Sequence, residues 1–453
     1  MFPHRVETGG DPLAPFVPAL SGPALTHAFS RRAPLLPWRG VREVAKDRVS
    51  DRVRRLEQAP RTETTVAYVH VPFCHNHCLF CGFYRNAHDP ERYARFVDLL
   101  IADLERSSRL PMVADGPAIS AVYMGGGTPT ALAAADIGRL VAALRRNLPL
   151  APDCEITLEG RTHGLDDDRI DAALDAGVTR ISLGVQSLDT RVRHRLGRKF
   201  DRAGLIDAIE RLVARDRATV VIDLMFGLPG QTADVWRRDI ETAAELGLDG
   251  LDFYALSVWP GGPLAQAIAG GKALPLPSLA DQGLAYEEAS AFFAERGWRR
   301  LSQAHVARSF REENRYNRSV KAGAACLAFG PGAGGSGLAT RWSIDTNLET
   351  WSAAVEAGRS TIGWIGDLSA THDVTAAITA AMEEGLLDLA AIETRLPGFR
   401  VRSAPLIAAW EAADLARCDG AVLATTLAGD FWMTTLAGGL LTVADLVAAE
   451  AQA

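Results

Sequence analysis

From residue 65 onward, short apolar, β-branched runs alternate with longer amphipathic segments. The runs are TVAYVHV (65–71), AISAVYMGGG (118–127), CEITLEG (154–160), RISLGVQS (180–187), TVVIDLMFGLPG (219–230) and GLDFYALSVWP (250–260). Each has the length and the Val, Ile and Tyr content of a buried strand. Between them lie ERYARFVDLLIADLERSS, DIGRLVAALRRNL, DRIDAALDAG and ADVWRRDIETAAELG. Their apolar positions recur every three to four residues, which predicts helices. The third ends at Gly177, a C-terminal cap. Strand–helix units in series predict a parallel sheet with right-handed crossovers. A doubly wound sheet and an open barrel both fit that rhythm.

The ends of the strands favour the barrel. A cysteine loop follows the first run, Gly125–Gly127 the second and Gly227–Gly230 the fifth, while Glu159 and Gln186 end the third and fourth. Loops after strands are commonly glycine-rich, but that does not explain Glu159 and Gln186 at the ends of apolar runs. A barrel brings strand ends around one mouth. The fold class expected is α/β: a partial (β/α)6 TIM-like barrel of parallel strands with a small, mainly helical C-terminal domain.

The expected divisions are an N-terminal arm (1–60), a core barrel (61–300), a barrel extension on the substrate side (301–365) and a C-terminal helical domain (366–453). The arm is rich in Pro, Arg and Gly, with a short helix near Val41 to Leu56. SLADQGLAYEEASAFFAERG reads as a long helix. The tail has winged-helix character, with a short strand pair around AVLATTLAGDFWMTTLAGG (421–439).

Composition excludes several classes. With 48% hydrophobic and 23% charged residues, the chain is an ordinary globular one. Lys plus Arg number 48 against 55 Asp plus Glu, a net charge of −7, so no nucleic-acid partner is expected. No uncharged apolar stretch of about 18 residues appears, so no membrane partner is expected. The N-terminus lacks a basic region followed by an apolar core, and a cytoplasmic location is expected. The 6 cysteines are too few for a disulfide scaffold, yet three of them crowd one loop.

That loop reads YVHVPFCHNHCLFCGFY. Cys74, Cys78 and Cys81 have the spacing C-x3-C-x2-C, and so short a loop can curl three thiolates around one centre. Thiolates are the soft ligands that iron–sulfur clusters need. Three of them would leave one iron of a 4Fe–4S cube open to a substrate or cofactor. A structural zinc site is the competing reading, because His70, His75, His77 and His88 lie nearby.

The spacing, with Phe80 before the third cysteine at the end of the first strand, resembles the signature of the radical S-adenosylmethionine (SAM) enzymes. From about Ala67 to Ser336 the chain resembles the branch containing oxygen-independent coproporphyrinogen III oxidase. YVHVPFC, GGGTPT, SLGVQS and IDLMFGLPGQ occur in that family's order. The resemblance implies Cys74, Cys78 and Cys81 as the ligands of a catalytic 4Fe–4S cluster. It implies SAM contacts at Tyr68, Phe80, Gly126, Gly127, Thr128, Glu159, Gln186, Arg198 and Asp223. These residue types suit the roles: a carboxylate accepts from ribose hydroxyls, an arginine pairs with the methionine carboxylate and glycines permit close backbone approach.

The resemblance further implies a reduced cluster that cleaves SAM to a 5′-deoxyadenosyl radical. The oxidases usually carry a fourth cysteine two residues after the third, whereas this chain has Cys81-Gly82-Phe83. PFCxxHCxFCGFY, LSQAHxAR and CLAFGxGAGGS are similar instead to the anaerobic haem-degrading radical SAM methyltransferases. That group implies a second SAM, C-methylation of the porphyrin, ring opening to a linear tetrapyrrole and iron release. A coproporphyrinogen decarboxylase and a haem chaperone without turnover are the alternatives. The expected partners are haem or a related porphyrin and a low-potential electron donor such as flavodoxin. Gln303, His305 and Arg308 are the candidate substrate residues, with arginines suited to propionates and a histidine to haem iron.

Overall fold

The structure is a computed structural model describing residues 10–19, 21–35, 39–82, 86–87 and 89–451. His88 and the first nine residues of the expected arm lie outside the described residues. The chain divides into two units, the larger comprising Gly40–Ser278 and Ala285–Ser369.

In the larger unit all six expected strands form: β1 (Thr65–Val71), β2 (Ile119–Gly126), β3 (Leu150–Gly160), β4 (Arg180–Gln186), β5 (Thr219–Phe226) and β6 (Gly250–Ala255). They pair in parallel in that order. The connecting helices include α1 (Pro90–Ser107), α2 (Ala134–Asn147), α3 (Asp167–Ala176), α4 (Arg202–Val213) and α5 (Ala233–Glu245). Gly177 caps α3 with φ 101°, a conformation that glycine adopts without a Cβ penalty.

One parallel strand was not foreseen. β7 (Ala325–Phe329) lies along the free edge of β1, with Ala325 opposite Thr65 and Phe329 opposite Val69. Its outer edge continues into antiparallel strands Gly334–Gly337, Thr340–Ile344, Ile362–Leu368 and Val41–Glu43. Val41 therefore starts a strand rather than the expected helix, which covers Val49–Glu57. Beyond β6 lie antiparallel strands His305–Ala307 and Arg299–Arg300. Among the described residues no ladder joins the two edges of this sheet.

Strand register sorts the two faces, because side chains alternate with period two. One face carries Val69, Val122, Ile156, Leu158, Ile181, Leu183, Ile222 and Leu251, all buried. Buried residues of the connecting helices, such as Leu140 and Ile209, supply the apolar partners that such a face requires. The other face is polar: Tyr68 stands opposite Tyr123, Glu159 opposite Ser182, Asp223 opposite Asp252, and Asp252 opposite His305.

The smaller unit comprises Met1–Arg39, Leu279–Leu284 and Ala370–Ala453. Its described part has helices at His372–Glu384, Leu389–Arg395, Phe399–Ala412 and Met433–Glu450. A three-stranded antiparallel sheet has Val422–Thr425 between Leu386–Asp388 and Ala416–Asp419. Only Val422–Thr425 of the expected 421–439 strand pair is a strand, and Leu427–Phe431 and Met433 onward are helical. Trp410 and Trp432 are fully buried and donate Nε1–H to the carbonyls of Phe16 (2.8 Å) and Ala24 (2.9 Å). Those bonds tie the segments around Phe16 and Ala24 into this unit, whereas the chain from Gly40 groups with the sheet. Met433–Glu450 is long and apolar enough to cross a membrane, and 61% of it is buried.

Candidate functional site

The cysteine loop leaves the C-terminal end of β1. Cys74 and Cys78 are buried, Cys81 is partly exposed, and all three are free thiols. The Cys81 amide donates to the Cys78 carbonyl at 3.0 Å, which turns the loop back on itself. Thr128 Oγ1 donates to Cys74 Sγ at 3.4 Å, and Arg161 Nη2 lies 3.8 Å from the same sulfur. Burial pushes the Cys74 thiol up, and the Thr128 bond and the Arg161 charge act against it. Arg198 is buried with its guanidinium 5.7 Å from the Phe80 ring centroid, and Nη1 donates to the Gly184 carbonyl. Burial lowers its pKa, and the neighbouring Cys78 sulfur opposes that.

Three thiols beside two guanidiniums and a hydroxyl form a donor set that stabilises anionic sulfur. That environment fits thiolates around an iron–sulfur cluster. Among the described residues no three His, Cys, Asp or Glu side chains converge as a single-ion site. The loop histidines lie against other groups: His77 Nε2 is 3.3 Å from the Cys81 carbonyl, and the His75 ring packs edge-on to His163 at 5.2 Å.

The glycine turn after β2 leaves no room for side chains. Gly126 has φ 107°, and a Cβ there would come within 2.6 Å of the His70 ring. A Cβ on Gly127 would strike the Phe73 backbone, and one on Gly125 would strike the Glu159 carboxylate. The Gly127 amide donates to Val71 O at 2.8 Å, bringing this turn against the segment that carries Cys74.

The polar face of the sheet leads into this site. Tyr68 Oη is 3.3 Å from His70 Nδ1, and the Tyr68 ring stacks on Tyr123 with centroids 6.3 Å apart. Glu159 is pushed up to about 7, chiefly by burial, although the Gly126 amide and Tyr123 favour its charged form. Asp223 is raised well above the carboxylate range by burial, and then by Asp252 and Glu159. Gln186 ends β4 at φ 71°, a left-handed conformation rare outside glycine that is held where the β4–β5 register shifts.

The structure thus brings together Cys74 with Thr128, Tyr68 with the glycine turn through His70, Glu159 with Asp223, and Arg198 with Phe80 and Cys78. Of the three candidate substrate residues, His305 stands on the same polar face, opposite Asp252 and among the charges acting on Asp223. His305 is buried with Nδ1 2.8 Å from Asp252 and Nε2 3.1 Å from Glu312. Arg308 donates to the carbonyls of Leu248 (2.6 Å) and Gly247 (2.7 Å), at the opposite, N-terminal end of β6. The Gln303 carbonyl accepts from Tyr286 Oη at 2.7 Å. Sequence reasoning missed Arg161, Arg180, Asp252 and Glu312. Arg161 follows the same strand end as Glu159, and that position was its available signal.

A loop of three thiols at the C-terminal end of a strand in a parallel α/β sheet defines the class of a radical SAM enzyme. A match to the Radical SAM superfamily spans residues 68–243. An anaerobilin synthase of Escherichia coli O157:H7 is 40% identical over 409 residues, covering 90% of this chain and 91% of that protein. A heme chaperone of Mycobacterium tuberculosis (strain ATCC 25618 / H37Rv) is 32% identical over 282 residues, 61% of this chain and 70% of that one. The solved coproporphyrinogen III oxidase of Escherichia coli has the same fold, with a TM-score of 0.75 and 22% identity, covering 91% of this chain and 96% of that one. The chain belongs to the radical SAM superfamily, in the family that includes anaerobilin synthase.

Proposed function

We propose that this chain degrades haem anaerobically, by radical SAM-dependent C-methylation of the porphyrin and ring opening to a linear tetrapyrrole with release of iron. The observation that carries the reading is the near-full-length likeness to anaerobilin synthase. Cys74, Cys78 and Cys81 hold the 4Fe–4S cluster. When bound, cluster and SAM supply a low-potential electron and the radical and one-carbon chemistry.

The chain's own groups position and insulate. Gly126 and Gly127 admit SAM backbone-close. Thr128 is near its methionine amino group, Glu159 and Asp223 accept from its hydroxyls, and Arg198 pairs with its carboxylate. Phe80 and Tyr68 flank it, and Gln186 closes the site from β4. A second SAM, once bound, would supply the carbon, and a reduced flavodoxin-type protein would supply electrons. The reducing, low-oxygen cytoplasm is the compartment in which such thiolates persist.

The test is an anaerobic reaction of cluster-loaded protein with haem, reductant and SAM labelled in its methyl hydrogens, read by mass spectrometry. The expected products are a methylated, iron-free linear tetrapyrrole, 5′-deoxyadenosine and S-adenosylhomocysteine. Haem that stays bound and unmodified overturns the reading in favour of a chaperone. Decarboxylation of coproporphyrinogen III overturns it in favour of the oxidase.

A further inference from the structure

Trp259 stands apart from the other described tryptophans. It is 53% exposed, whereas Trp236, Trp298, Trp342, Trp351, Trp410 and Trp432 are buried. An exposed indole keeps a large flat apolar surface in water. The chain fixes it there. The Trp259 carbonyl accepts from the Gly262 amide at 3.1 Å across Pro260 and Gly261. Gly261 has φ 78°, so the Pro-Gly pair closes a tight turn just beyond β6. Gly262 leaves space for the indole, since a Cβ there would come within 2.6 Å of Trp259 Nε1.

The ring lies against the cysteine loop. A Cβ on Gly82 would be 3.4 Å from Trp259 Cζ2, an ordinary contact, and Gly82 directly follows Cys81. Cys81 is the partly exposed one of the three loop thiols. Val258, Ala273 and Leu79 of the cysteine loop pack on one buried apolar cluster that includes Leu228, Leu256 and Leu264. From this base Trp259 rises next to Val258, and Leu274, 44% exposed, next to Ala273. Two cations border the patch. Arg195 meets Leu274 over Gly230, where a Cβ would strike both, and Lys272 lies two residues before Leu274. Both cations are exposed, and among the described residues neither is within ion-pair distance of a carboxylate. None of the residues given to SAM above belongs to this patch.

We propose that Trp259 is the stacking platform for the tetrapyrrole, with Arg195 and Lys272 facing its carboxylate arms. This rests on the haem-degrading reading above. An indole against the residue after Cys81 offers its π-face to a planar macrocycle beside the chemistry. Cations at the border of an apolar floor suit a ligand with a flat apolar body and anionic ends. A protein partner would need about 800 Å² on this side. That is more than the exposed parts of Trp259, Leu274 and Leu276 offer, so the patch fits a small flat ligand.

The test titrates haem anaerobically into the full-length, cluster-loaded protein and reads absorbance, with SAM affinity and iron content measured alongside. Trp259→Ala should weaken haem binding by about 10-fold, and Trp259→Phe, which keeps a flat ring, should recover most of it. Arg195→Ala with Lys272→Ala should weaken haem binding by about 5-fold and leave binding of haem dimethyl ester unchanged. SAM affinity and iron content should stay at wild-type values in every variant. Wild-type haem affinity in Trp259→Ala overturns the proposal. If that variant instead accepts electrons slowly from reduced flavodoxin, the patch belongs to the electron donor. If SAM affinity falls with haem binding unaffected, it belongs to the cofactor. Failure of the wild-type protein to bind haem removes the functional reading itself, and the platform with it.

Discussion

His305 Nδ1 lies 2.8 Å from Asp252 Oδ1 inside the barrel, on adjacent antiparallel strands. The other ring nitrogen is 3.1 Å from Glu312, which in turn accepts Nε (2.9 Å) and Nη2 (3.1 Å) of Arg180. All four residues are buried. The arrangement alternates charge across the sheet, Asp252–His305–Glu312–Arg180, and ties β6 to β4 through the segment after the barrel. A histidine so placed holds neighbouring strands together through charge.

This network gives the fold a pH signature. The carboxylates of Asp252 and Glu312 outweigh burial and raise His305 to about 9 from its ordinary 6.5. A raised pKa stabilises the fold fully below about 6.5, and the stabilisation is lost as pH rises through about 9. Glu312 is lowered to about 2 by Arg180 and His305 despite its burial, so its contribution holds above about 4.5 and is lost as pH falls toward 2. Thermal unfolding should show Tm highest between these limits and declining from pH 6.5 to 9. His305→Gln should flatten the alkaline decline; an unchanged slope would count against the assignment.

Glu312→Gln isolates the charge itself. It keeps the volume but leaves Arg180, which is 2% exposed, without its counter-charge. Breaking a buried pair from one side costs about 3–5 kcal/mol. Urea unfolding should show a loss of that order, and the haem Soret band of the folded fraction should be unchanged. A shifted Soret band would support His305 as an iron ligand.

Cys78→Ala tests the cluster loop. The variant should fold, because a buried Cys-to-Ala change removes little volume. Purified anaerobically, it should lose the brown chromophore and SAM cleavage together. Retention of both would end the assignment of this loop.

Gly126→Ala probes the cradle. The position has φ 107°, and the added methyl would lie within 2.6 Å of the His70 ring. Strain of this kind costs about 1–3 kcal/mol. Tm should fall, and SAM affinity should fall more steeply than the cluster content. Equal SAM binding in the variant would show that the turn serves only the fold.

The parallel strands were legible because each is a continuous β-branched run bounded by glycine or a charged end, as in TVAYVHV and TVVIDLMF. Gly177 was legible as a cap because local geometry alone demands glycine there. β7 was not, since ACLAF is short and acquires its role only by pairing with a strand more than 250 residues earlier. The place of His305 opposite Asp252 was not legible for a related reason, since it depends on the pairing of two strands distant in sequence. Of the strand pair expected around 421–439, the part from Leu427 onward is helical, because that apolar stretch fits a buried helix equally well by composition.

Thr128 offers the sharpest test of how the chain tunes its cluster. Its hydroxyl is fully buried and donates to Cys74 Sγ at 3.4 Å. A hydrogen bond to a ligating sulfur withdraws charge and makes reduction easier. Thr128→Val keeps the shape and removes the donor, leaving Arg161 as the remaining positive group at that sulfur. The reduction potential should move to more negative values, and SAM cleavage should slow by about 10- to 100-fold with full iron content, the usual cost of losing a group that supports a metal ligand. Thr128→Ser, which restores the donor, should recover most of the rate. If Val and Ser variants share one potential, the hydroxyl acts on packing alone and the tuning must come from Arg161.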